Sequence, residues 1–264
     1  MNVESSLQPV LFLGHGSPLN AIADNAFTRT LGALGARLPR PKAVLCVSAH
    51  WLTRGTRVTG MAKPRTIHDF GGFPEALYQA RYPAPGSPAL AALVRETVGA
   101  GSVEIDESEW GLDHGAWSVL RHLYPKADVP VVQLSIDDGA PARRHFELGE
   151  KLRPLRDKGI LILGSGNIVH NLRRLSFEES APPEAWAVEF DAWVKGRLEA
   201  RDFESLSGDL AAAPSGRLAV PTPEHYDPLL YVLGACDERD KLRFEFEGIQ
   251  NGAISMRSVS FGAA

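Results

Sequence analysis

The chain has 264 residues, 44% of them apolar and 23% charged, and 28 Lys and Arg stand against 32 Asp and Glu for a net charge of −4. This is ordinary globular composition, which excludes fibrous and wholly disordered readings, and a chain of this length folds without disulfide staples. Nothing in the charge balance points to nucleic acid or an acidic membrane surface as a partner, and no stretch reaches the ~18 apolar residues of a membrane span.

The N-terminal MNVESSLQPV has neither the basic start nor the apolar core of an export signal, so a cytoplasmic protein is expected. Cys46 and Cys236 each follow apolar residues, lack a second cysteine at metal-binding spacing, and read as reduced, buried thiols. In chain order, continuously apolar runs at residues 10–13, 43–47, 129–136 and 160–163 predict strands covered on both faces. Between and after them, helical spacing covers residues 21–38, 87–98, 141–158, 182–201 and 229–235, the second opening with Ser87 as N-cap and Pro88 at the first helical position. Residues 205–218, rich in Ala, Gly, Ser and Pro, predict a surface loop. Residues 254–261 alternate apolar and polar, which predicts a half-exposed strand near an edge. Strands alternating with helices give an α/β fold with a mostly parallel central sheet flanked by helices, in a single domain spanning 1–264.

The eight histidines are not spread evenly along this pattern. His15 follows the first predicted strand through Gly14, His50 the second through Ser48-Ala49, and His170 the fourth through Gly164-Ser165-Gly166-Asn167. In a parallel sheet, ligands bind at the carboxyl ends of the strands, so these three converge there. Neutral imidazoles held together invite a divalent metal. Any one of them alone is explained as well by a strand-end hydrogen bond; the three together favour a metal site. His225 lies in the constrained loop Pro221-Thr222-Pro223-Glu224-His225-Tyr226. His68 and Phe70, in Thr66-Ile67-His68-Asp69-Phe70-Gly71-Gly72-Phe73, suit either a wall for a flat substrate or a packed surface loop. His114, beside Asp113 at a helix start, suits a proton donor or substrate anchor, and a helix cap nearly as well. His122 and His145 fall on amphipathic helices and read as surface positions. The phosphate-loop, nucleophile-elbow and His-Glu-x-x-His patterns are absent from the sequence.

The segments LFLGHGSPLN, VSAHW, TIHDFGGFPEALY, YPAPGSPAL, WGLDHGAWSVL, VPVVQLSID, GSGNIVHNLR and PTPEHYDPLLYVLGA run from residue 11 to residue 235. Together they resemble the class III extradiol ring-cleavage dioxygenases, in the bacterial branch similar to 4,5-DOPA extradiol dioxygenase. The resemblance implies an α/β fold around one non-haem metal, with Fe(II) expected for activity and zinc a further occupant of the same site. It implies His15 and His50 as metal ligands, with His225 or His170 completing the set, and leaves open whether Glu224 rather than His225 reaches the metal. It implies a catechol and O2 as substrates. It also gives His170 the role of base, on a flexible glycine loop, unless it is itself a ligand, and His114 that of ring anchor or proton donor. A homo-oligomer is left open. Two rival classes use the same residues: a zinc hydrolase, which would turn over without O2, and a non-catalytic binding module, which retention of the histidines disfavours.

Overall fold

A computed structural model describes residues 7–262 of the chain. An eight-stranded sheet runs through it, built from β1 (Val10–Gly14), β2 (Ala43–Thr53), β3 (Thr56–Thr59), β4 (Val103–Asp106), β5 (Val131–Asp137), β6 (Ile160–Gly166), β7 (Lys241–Phe246) and β10 (Ser258–Gly262), while β8 (Ile249–Gln250) and β9 (Ile254–Ser255) form a separate two-stranded ribbon. The order is β4-β3-β5-β2-β6-β1-β10-β7. The centre, β5-β2-β6-β1, is parallel; β10 and β7 extend it antiparallel beside β1, and β3 pairs antiparallel with β5.

The continuous apolar runs are explained by helices on both faces. Val10, Phe12, Leu45, Val47 and Ile162 point to one side, where α3 (Pro88–Val98), α5 (Ala142–Leu152), α6 (Ala185–Glu199) and α9 (Asp227–Gly234) contribute Val94, Leu152, Phe190 and Leu229. Their neighbours Leu11, Leu13, Val44, Cys46, Leu161 and Leu163 point to the other, against Phe27 and Leu31 of α1 (Ala26–Arg37) and Trp117 and Leu120 of α4 (His114–Leu123). Side chains alternate across a strand, so a strand buried on both faces has no polar register to show. Ser87 caps α3 by accepting from the Leu90 amide at 3.1 Å. Both cysteines are free and buried. Among the described residues no helix is long and apolar enough to cross a membrane; residues 1–6, most of the segment read for an export signal, and 263–264 at the end of the expected domain span lie outside the described ones.

Several expectations are corrected. The second strand continues six residues beyond 47, so His50 lies inside β2, within a register irregularity between Val47 and Leu52 opposite β5. The C-terminal run breaks into β9 and β10, and β10 is buried between β1 and β7 rather than half-exposed at an edge, because the ends of the sheet are β4 and β7. Residues 205–218 are not one loop: they include the end of the short helix α7 (Phe203–Leu206) and most of α8 (Gly216–Ala219), leaving α2 (Glu75–Tyr78) as the remaining short helix. His145 is not a surface residue; it is 2% exposed, with Nδ1 2.9 Å from the Tyr231 hydroxyl.

Gly164 and Gly166, expected in a flexible loop, belong to β6 and are fully enclosed. Their role is close approach. A Cβ on Gly166 would stand 2.1 Å from the His225 carbonyl oxygen, and one on Gly164 would stand 2.4 Å from that of Pro228. The space is used: the Asn167 amide donates to the same His225 carbonyl at 2.8 Å, which ties the loop before α9 to the end of β6. Gly166→Ala should therefore force the two elements apart and cost about 1–3 kcal/mol of stability, as overpacking a tight interior does. Urea unfolding checks this, and an unchanged midpoint would contradict the packing argument.

Candidate metal centre

Five histidines meet at the carboxyl end of the parallel strands. His15 leaves β1 with its amide donating to the Gly166 carbonyl at 3.1 Å, and His50 projects from β2 beside it. The His15 ring centroid is 5.1 Å from that of His50, 5.6 Å from that of His114 and 5.4 Å from that of His225. The His50 centroid is 3.9 Å from that of His114 and 5.0 Å from that of His225, and His170 stacks on His225 at 3.5 Å with planes 10° apart. By nitrogen and carboxylate positions the cluster has two halves, within each of which the candidate ligand atoms lie within 4.8 Å of one another: His15, His50 and His114 in one, and His170, Glu224 and His225 in the other. His114, read as an anchor or proton donor, thus stands as close to the first two histidines as a ligand would.

What each ring does with its second nitrogen decides what the first can offer. The Ser165 hydroxyl donates its one proton to the Gly115 carbonyl at 2.5 Å, so His15 Nδ1, 3.0 Å from that oxygen, must be the donor. His15 Nε2 therefore carries the lone pair. His225 Nδ1 lies 3.1 Å from Glu224 Oε1, which also accepts from the Thr222 hydroxyl. Through Oε1, Glu224 faces both Thr222 and His225, and its carboxylate also belongs to the second candidate ligand group. His114 Nδ1 lies 2.9 Å from Asp69 Oδ2, and His50 Nδ1 lies 3.4 Å from the same oxygen. His15 Nε2 and His50 Nε2 face each other at 3.1 Å, a separation that suits two imidazoles on one ion at the usual ~2.1 Å metal–nitrogen distance. Neutral imidazoles with Nδ1 bonded to carboxylates or hydroxyls are the donor set that divalent iron and zinc take. The residues fit a metal.

Electrostatics keep His15, His50, His170 and His225 neutral. Burial lowers the His15 and His225 pKa values well below the ordinary range, and the neighbouring histidines lower them further. Burial and His114 bring His50 to about 3 against the pull of Asp69; burial brings His170 to about 4 against that of Glu224. For Asp69 burial pushes the carboxyl up, but the hydrogen bond from His114 and the adjacent His50 outweigh it and hold it below its ordinary value.

The cluster floors a cavity of about 530 Å³ whose walls include Pro18, Phe70, Phe73, Leu175 and Ile254. The Phe70 ring stands edge-on to His114 at 5.5 Å, and Phe177 is fully exposed at the rim. His68 lies outside this lining: its Nε2 is 2.9 Å from the Ala80 carbonyl and 3.1 Å from Arg81 Nη1, so it braces the wall from behind. Sequence reasoning overlooked Asp69 and Ser165. Asp69 could have been suspected from its place between His68 and Phe70; Ser165 offers no signal before the fold brings it under His15.

Residues 17–261 match the family described as the catalytic LigB subunit of aromatic ring-opening dioxygenase. The chain is 50% identical over 268 residues to the 4,5-DOPA dioxygenase extradiol of Escherichia coli (strain K12), covering 98% of this chain and 97% of that one. It is 37% identical over 272 residues to the protein of the same name from Beta vulgaris, with 99% of each chain covered. A solved structure of an uncharacterized Escherichia coli K12 protein superposes with a TM-score of 0.82 at 46% identity, over 97% of this chain and 100% of that one.

In the metal-free protein the unfolded chain binds protons at histidine near the ordinary pKa, ~6.5, while the fold holds these histidines neutral far below it. Stability is thus complete above that pH and lost as pH falls toward about 4, each histidine contributing up to about 1.4 kcal/mol per pH unit. Urea midpoints of metal-stripped protein between pH 7.5 and 4.5 should fall steeply; a flat profile would mean the cluster is not neutral in the fold.

Proposed function

The chain belongs to the family of catalytic LigB subunits of aromatic ring-opening dioxygenase, and from that premise we propose that it opens a catechol ring by the extradiol route. One observation carries the reading to these residues: the Nε2 atoms of His15 and His50 face each other at 3.1 Å on the floor of a cavity with aromatic walls. His15, His50 and His225 hold the metal, with His114 at ligand distance from the first two, and the chain acts as one domain over 1–264. Fe(II) is the working metal, and zinc fits the same imidazoles. When bound, the metal supplies the redox and Lewis-acid chemistry that joins a diol to O2.

The protein's own groups do the rest. Phe70 and Phe73 pack against the flat ring and orient it, which turns an encounter of separate molecules into a positioned one. His170 is the base. Its ring stacks on His225 and, unlike those of His15, His114 and His225, bonds to no carboxylate or hydroxyl among the described residues. Held neutral, it can accept a hydroxyl proton from the diol. His114 Nδ1–H is tied to Asp69, so Nε2 is the nitrogen left to steady the ring. In the balance, the carbon–carbon bond beside the diol and the O–O bond break, both oxygen atoms enter the product, and no further reductant is consumed.

Fe(II)-loaded protein should convert a substituted catechol such as DOPA into a yellow hydroxymuconic semialdehyde, only with O2 present and with both labelled oxygen atoms in the product. A colourless intradiol diacid, or equal turnover without oxygen, would overturn the reading in favour of the hydrolase.

His15→Ala and His50→Ala should each lower metal content sharply from about one ion per chain, whereas His170→Ala should keep the metal and slow turnover about 10²–10⁴-fold. Metal loss in His170→Ala would make that residue a ligand; full occupancy in both of the other variants would remove the site.

A further inference from the structure

Asp69 is not a wall residue that happens to lie near the cluster. Its two oxygens face three nitrogens: Oδ1 accepts from the His114 amide at 2.9 Å, and Oδ2 lies 2.9 Å from His114 Nδ1 and 3.4 Å from His50 Nδ1. The carboxylate is held independently of those rings. The Ile67 amide donates to the Leu112 carbonyl at 2.7 Å, and Trp117 Nε1 donates to the Ile67 carbonyl at 2.7 Å, clamping its loop to the start of α4.

We propose that Asp69 is a positioning residue that fixes the tautomer and direction of His114 through two hydrogen bonds, so that His114 turns its Nε2 toward the metal centre, while the same carboxylate, 3.4 Å from His50 Nδ1, favours hydrogen on that nitrogen too. A carboxylate only accepts, so an imidazole beside it is held with hydrogen on the near nitrogen and the lone pair on the far one. His50 comes from the middle of a strand and His114 from the first turn of a helix, and Asp69 is the group both Nδ1 atoms approach. The next residue, Phe70, forms the cavity wall, so the loop that meets the substrate also aims imidazoles of the cluster.

The inference rests on the metal-site reading above, and zinc binding by the whole chain tests the two separately. Asp69→Asn keeps size and shape but sets its amide N–H either against the His114 backbone N–H or against His114 Nδ1, which must then pass its hydrogen to Nε2, whereas Asp69→Ala removes the carboxylate and sets nothing in its place. An orienting role therefore predicts an inverted order: the near-isosteric variant weakens zinc binding about 10–100-fold and at least as much as the truncation. In metal-free protein, nitrogen-15 NMR should find His114 protonated at Nδ1 in the parent and at Nε2 in Asp69→Asn. A loss below tenfold in Asp69→Asn, a greater loss in Asp69→Ala, or an unchanged His114 tautomer would overturn the assignment. A parent protein that binds no zinc would overturn the metal reading and this role with it.

Discussion

Imidazoles crowded this closely in a partly buried hollow resist charge. The site follows from that constraint: with ring centroids 3.5–5.6 Å apart, protonating one histidine raises the cost of protonating the next, and burial adds to it. Neutrality leaves each ring one proton to place. Ser165, Asp69 and Glu224 take those of His15, His114 and His225 at Nδ1. Around this the fold supplies what packing requires: glycines in β6 that let the His225 loop close in, and a two-sided sheet that holds β1, β2 and β6 rigid beneath the cluster. The pressure toward a cation is built into the lone pairs that remain.

Much of this was legible in the amino-acid order. Continuously apolar runs identified the central strands, because burial on both faces leaves a mark that no partner is needed to read. His15 was placed because β1 ends one residue before it. His50 was placed for the wrong local reason: its strand continues past it, through an irregularity opposite β5 that no single-residue propensity records. The glycines of β6 carried the opposite meaning from the one composition suggests, since a glycine is read as freedom unless the facing backbone is known. His145 misled because an amphipathic helix does not disclose that a tyrosine hydroxyl waits beneath its polar edge.

The polar support of the site was the least legible layer. Ser165 reaches His15 across 150 residues of chain, and Asp69 reaches His114 across 45. Such contacts have no period and no local signature, and they become visible only when the sheet sets distant turns side by side. Asp69 sits among residues that drew notice for their aromatic character, which suits a wall and conceals a carboxylate with three donors around it.

The neighbour of β1 on its outer side is β10, and the Gly14 amide, one residue before His15, donates to the Ser258 hydroxyl across 244 residues. A nascent polypeptide emerging from the ribosome would carry His15 almost from the outset, yet the seat of that histidine is finished only when residues near 258 arrive. Until then β1 presents a bare row of amides and carbonyls, the kind of edge that recruits other chains. Sequence separation of this extent slows folding, since the loop must close before the pairing rewards it. Maturation is therefore ordered by synthesis: the strand that leads into His15 gains its outer partner only with the last residues of the chain, and a prematurely terminated product would keep that edge open and prone to aggregate.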